Sequence, residues 1–152
     1  MIISTLKNEF NRIASDLGAS FTTKEIQEEQ DYAQNYEFID PWINWEPIIN
    51  FTTEIDQGGQ TVYVGSCVIR FLTKARTDDT LEDHKDILVD DMVAVSQAFY
   101  YELNKNANGV FVNASFSSIR HKVLRQYLSN YLVGTEVSMD FRTGCAARGF
   151  DA

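Results

Sequence analysis

The chain has 152 residues, 44% hydrophobic and 23% charged, which fits one globular domain and excludes a wholly disordered chain. It carries 22 acids against 13 bases, a formal net charge of −9, so most of its surface should repel nucleic acid phosphates. No apolar run reaches the roughly 20 residues that cross a bilayer. The opening Met1-Ile2-Ile3-Ser4 has no signal-peptide pattern, so no membrane contact is expected.

Ile2, Leu6, Phe10, Ile13 and Leu17 recur every three or four residues, which predicts an amphipathic helix docked on a sheet. Gly18 follows as its stop. Residues 19–47 read as an exposed connection or extended arm within one domain spanning 1–152. Tyr32, Tyr36 and Phe38 stand beside acids there, a composition that serves either a contact surface or packing on the domain's own core. In Asp40-Pro41-Trp42-Ile43-Asn44-Trp45-Glu46-Pro47, two prolines bracket two tryptophans. A residue before proline avoids helix, so this stretch is extended or turning. Trp42 and Trp45 are costly to expose. They either cap the end of the core or form a contact hot spot.

Ile48 to Phe51 begins a β-hairpin that turns at Asp56-Gln57-Gly58-Gly59-Gln60, where the glycines supply positive φ. Thr61 to Thr73 alternates in the manner of a strand, with both of its faces largely apolar in the middle. Lys74 to Asp79 is a charged loop. Thr80 then reads as the N-cap of a long helix with Glu82, Asp83 and Asp86 near its start, where the helix dipole favours acids. Leu81, His84, Leu88, Met92, Val95 and Phe99 mark its apolar side. It should end near Leu103, before Asn104-Lys105-Asn106-Ala107-Asn108-Gly109. Val110 to Phe116 reads as a short strand, His121 to Leu128 as a basic helical turn, and Thr135 to Thr143 as a strand with one wet face. The fold class is therefore α+β: a mostly antiparallel sheet with an N-terminal helix and a long central helix on one face.

No catalytic centre is legible. Neither histidine makes a motif: His84 sits on the helix's apolar stripe and reads as a hydrogen-bonded core residue, and His121 as a solvated one. The acids at 79, 83, 86 and 90 form a solvated helical stripe without the spacing of a calcium loop. The glycine pair Gly58-Gly59 lacks the following helix of a phosphate cradle. No metal or cofactor is expected. Arg120-His121-Lys122 with Arg125 and Tyr127 is the one thin candidate for nucleic acid contact. Cys67 and Cys145 read as two buried thiols, bridged only if the fold brings them together.

Charge is unevenly placed. Glu25 to Asp91 holds sixteen acids and four bases, whereas Asn104 to Ala152 holds six bases and three acids. This serves solubility alone, or it sets an acidic surface against a basic one for head-to-tail contact between copies.

An N-terminal helix, a hairpin ending Val68-Ile69-Arg70-Phe71-Leu72-Thr73, a long helix with an acidic start and a final strand introduced by Leu132-Val133-Gly134 follow one another in this order. The arrangement resembles the small tail-terminator and tail-completion proteins of bacteriophage. The resemblance implies a sheet with helices on one face and a homo-oligomeric ring, six-fold, at the head–tail junction of the virion. Its subunits would be made in the bacterial host cytoplasm. They would meet neck and tail-tube proteins and leave a channel through which DNA passes without specific binding. Exposure logic then selects the contact residues: Trp42 and Trp45, the hairpin tip Gln57, Gly58 and Gly59, and the loop Lys74, Arg76, Asp78 and Asp79. The alternative is a small-ligand or peptide-binding domain whose pocket is the aromatic segment 32–45.

Overall fold

The structure, a computed structural model, describes residues 2–24, 29, 41–48, 50–55, 57–74, 82–127 and 132–145. Among these the fold is α+β. Helix α1 spans Ile2–Asp16, followed by strands β1 (Ser20–Thr22), β2 (Trp42–Glu46), β3 (Thr52–Ile55) and β4 (Thr61–Lys74). The long helix α2 (Glu82–Val110) then leads to strands β5 (Phe111–Tyr127) and β6 (Leu132–Cys145). The strands form one sheet in the order β1-β2-β4-β6-β5, with β3 also paired to β4. Among the described strands, only β1 and β2 run parallel.

Helix α1 buries Ile2, Leu6, Phe10 and Ile13, the stripe its spacing predicts. Its end is a Schellman turn. Gly18 takes φ 73°, its N–H donates to the Ser15 carbonyl at 3.0 Å, and the Ala19 N–H reaches Ala14 at 2.9 Å. Strand β1 begins at once, inside what reads from sequence as an exposed arm. Its three residues are half-buried against β2.

Strand β4 is the spine. On one side β6 pairs with it without a break, from Tyr63 opposite Thr143 to Lys74 opposite Leu132. On the other side β2 covers Val68 to Leu72 and β3 covers Thr61 to Val64. The hairpin therefore begins at Thr52 rather than Ile48, and its tip is closed by Gly59 at φ 80°. Alternation sends Cys67, Ile69 and Phe71 of β4 and Val137, Met139 and Phe141 of β6 to the helix side. There Phe10 meets Trp45 edge-on at 5.1 Å and Phe99 at 5.6 Å. Phe71 meets Phe99 at 5.5 Å. One aromatic seam thus joins α1, α2 and the sheet.

Three expectations are corrected. Helix α2 passes the Asn-rich stretch and ends at Val110; Asn104 donates its side-chain amide to the Tyr100 carbonyl at 3.0 Å, so its polar group is satisfied inside the helix. The buried stripe is also turned by about one residue, running through Val89, Met92, Ser96, Phe99 and Leu103 while Leu88 and Val95 lie half-buried. The side chain of His84 and the cap residue Thr80 lie outside the described residues. The basic helical turn read at His121 to Leu128 is instead, from His121 to Tyr127, the end of β5, a 17-residue strand; Leu128 lies outside the described residues. Hydrogen bonding to β6 decides the conformation of this segment over its local propensity. The reading of Cys67 as a buried thiol holds: it is free and buried, opposite Met139. Cys145 lies six residues further along β6, about 20 Å at strand rise, too far for a disulfide.

Candidate interaction surface

The sheet face away from the helices mixes apolar residues, among them Trp42, Val62 and Leu72, with charges arranged in cross-strand rows. Arg70 is almost fully buried and holds three carboxylates: Glu29, Glu46 at 3.0 Å and Glu136 at 3.0 Å. Glu29 is completely buried. A charge is stable there only with an opposite charge and hydrogen bonds beside it, so Arg70 ties β2, β4 and β6 to the residue at 29. Further along, Ser66 donates to Asp140 at 3.0 Å, and Arg120 stands 3.8 Å from the same carboxylate. Arg142 meets Glu54 at 2.6 Å.

The outer part of the molecule is different. From Ser115 to Arg125 the described side chains of β5 are exposed except Phe116 and Leu124. Ile119 is 39% and Val123 49% exposed, large values for apolar side chains within a sheet. Arg120, His121 and Lys122 stand among them. The outer face of α2 carries exposed Asp86, Asp90, Asp91 and Tyr101, with Ile87 58% exposed. Asp86 accepts from Arg125 at 2.7 Å, which fixes the start of α2 to the end of β5. Asp90 and Asp91 have no ion-pair partner among the described residues.

The sequence-selected contact residues fare unequally. Gln57, Gly58 and Gly59 are exposed at the hairpin tip, and Lys74 is exposed at the end of β4. Arg76, Asp78 and Asp79 lie outside the described residues. Trp42 and Trp45 are corrected: both are core residues, 0% and 2% exposed. The Trp42 indole donates to Thr22 at 2.8 Å, and Thr22 donates to Asn44 at 2.6 Å. Trp42 therefore clamps β1 onto β2. Trp45 reaches the helix side and packs on Phe10. Neither presents a surface to a partner, and neither lines a pocket in 32–45; residues 32–40 lie outside the described residues. A cleft of about 620 Å³ opens instead where the chain passes from β2 to β3, lined by Glu46, Ile48, Phe51, Val64 and Val68.

Sequence reasoning reached β5 only as a thin nucleic-acid candidate. A clearer signal was present: no acid occurs between Asn104 and Thr135, while Lys105, Arg120, Lys122 and Arg125 all fall there. Among the described residues, no three His, Cys, Asp or Glu side chains are grouped to hold a metal ion. Burial pushes the Cys67 thiol up to about 12, opposed by the Trp45 indole, and it also raises the Tyr100 hydroxyl. No family model and no curated protein sequence matches the chain.

Proposed function

We propose that this protein is a structural subunit of the bacteriophage neck, forming a ring that ends the tail tube and joins it to the head. The observation that carries the reading is the segregation of charge on a rigid sheet. One solvated strand, β5, is basic and partly apolar, whereas the outer face of α2 is acidic and partly apolar. A ring needs two different patches on each subunit, since head-to-tail contact joins unlike surfaces. Opposite charges on those patches set the orientation of docking. The observed element order and the single helix-covered face agree with the fold that the resemblance implies. Net charge adds support. At −9 per subunit, an assembled ring repels the phosphate backbone of DNA passing through it, which keeps a channel open without tight binding.

In this reading the subunit is made in the host cytoplasm and works at the head–tail junction of the virion. It contacts a neck protein on one side and the tail tube on the other. The test is native mass spectrometry with negative-stain imaging at neutral pH. A closed ring, six-fold by the family resemblance, is the expected particle. A strictly monomeric species at high concentration that also ignores neck and tube proteins would remove the reading.

A further inference from the structure

We propose that strand β3 is a docking edge whose occupant is β3 of a second copy, paired antiparallel about a two-fold axis at Thr53. This contact goes beyond the ring reading and does not rest on it. Among the described residues β3 pairs only with β4, and all four of its residues, Thr52–Ile55, are exposed. Its other border carries N–H and C=O groups that a further strand can pair.

Natural sheets guard such a border with proline, lysine or a bulge. Strand β3 has neither proline nor lysine, and its register against β4 is regular from Thr52 to Ile55. Its one charge, Glu54, is held by Arg142. Thr and Ile also suit extended backbone. The other borders of the sheet are less open to a strand. Strand β1 is half-buried. Strand β5 slips three times against β6, and Ser118 takes φ 55°, which breaks the row of groups that an added strand needs.

The side chains select the occupant. Register puts Thr53 opposite Tyr63 and Ile55 opposite Thr61, so both lie on the helix side of the sheet, with Cys67 and Ile69. Phe51 extends this row, its ring 5.8 Å from that of Tyr63. Phe51 is 40% exposed, and Ile55, at 74%, is the most exposed large apolar side chain among the described residues. The row reads large, small, large: Phe51, Thr53, Ile55. Turned antiparallel about Thr53, it matches itself. Phe51 then faces the partner's Ile55, Ile55 faces the partner's Phe51, and Thr53 faces the partner's Thr53. An aromatic opposite a β-branched side chain is a favourable cross-strand pair. On the other face Thr52 stands opposite the partner's Glu54, so no two acids are directly opposed. A two-fold contact uses one patch twice and closes at two copies. It therefore joins two subunits, or two rings face to face. A five-residue edge is small beside the ~800 Å² per partner of a stable dimer, so the dimer should depend on concentration.

The experiment follows the full chain by sedimentation velocity and native mass spectrometry over a range of concentrations. The parent should form dimers, or particles with twice the subunits of one ring. Ile55→Lys puts two cations into the contact and should weaken this association about tenfold or more. Its site is exposed, so a thermal melt matching the parent certifies the fold. The register has its own test. Thr53→Cys stands opposite its own copy at a disulfide's reach and should give a covalent dimer on mild oxidation, above the level of the parent. Thr52→Cys faces the partner's Glu54 and should not. An even-numbered particle that Ile55→Lys weakens and Thr53→Cys locks supports the contact. Association that Ile55→Lys leaves unchanged overturns it. Association that Ile55→Lys weakens but Thr53→Cys does not lock overturns the self-pairing, since another strand then occupies the edge. Single rings without dimers overturn the contact and leave the ring reading standing. Locked dimers that never form rings support the contact and remove the ring. A parent that stays monomeric removes both.

Discussion

Strands β4 and β5 are both long antiparallel neighbours of β6, yet they behave as opposites. On its β4 side, β6 runs in unbroken register, and the facing residues Ile69, Phe71, Val137 and Met139 are fully buried. On its β5 side, register slips three times, and most described side chains stand in solvent. The difference shows a division of labour. β4 is covered on both borders, and its inward side chains lie in the core, where Phe71 meets Phe99 of α2, so they are fixed by packing. Among the described residues β5 pairs on one border, and most of its described side chains stand in solvent, so its sequence is released from the core and available for contact. Stability should therefore be concentrated at the β4–β6 seam, and surface chemistry along β5.

The largest expected effect breaks that seam. A Cβ at Gly134 would stand 1.9 Å from the Phe71 carbonyl oxygen, and backbone cannot yield as a flexible side chain can. Gly134→Val should cost about 4 kcal/mol or more, read as insoluble expression or a collapsed urea midpoint. Next comes Arg70→Met, which leaves the buried Glu29 carboxylate without its guanidinium. The expected loss is about 3–5 kcal/mol in urea unfolding. Adding Glu29→Gln should recover part of it, because the stranded charge is then gone. If Arg70→Met unfolds like the parent, the ion cluster contributes nothing to the seam.

These sites differ in how much the sequence revealed. Strands β4 and β6 were legible, because alternating apolar residues with covered faces leave a period of two. The stripe and glycine stop of α1 were legible for a similar reason, since both signals are local. Strand β5 was not. Its exposed residues Ser117 to Val123 carry no apolar alternation, and its conformation comes from pairing with β6. The continuation of α2 past Asn104 was hidden because a side-chain bond to Tyr100 offsets a local stop signal. Arg70 stood out only as a base inside an apolar strand. Its partners lie 41, 24 and 66 residues away, and nothing local links them. Trp42 and Trp45 could be read either way, and the choice fell to Thr22 and Phe10. The basic strand was the most recoverable miss, since its run without acids is plain in the sequence.

The seam also has a pH signature of its own, smaller than either substitution. Burial raises the Cys67 thiol from 9.0 to about 12 and raises Tyr100 as well. Each group binds its proton more tightly folded than unfolded. The folded chain therefore holds more protons above pH 9, so stability falls as pH rises. It is fully present below about pH 9 and lost progressively toward pH 12 as the unfolded thiol and phenol ionise. Urea midpoints measured at intervals across this window should decline. In Cys67→Ser, whose hydroxyl does not titrate there, the decline should shrink. An equal decline in both would place its origin elsewhere.

The smallest stability effect is expected on β5, and its smallness is the point. Val123 is 49% exposed. Val123→Ser removes apolar surface that is already in water and leaves the paired backbone untouched. The melting curve should shift by no more than about 0.5 kcal/mol. A similar truncation on β4, Ile69→Ala at a fully buried position, should cost about 2–5 kcal/mol. If Val123→Ser destabilises as much as the core truncation, β5 is part of the packed seam and the division drawn between the two strands is wrong.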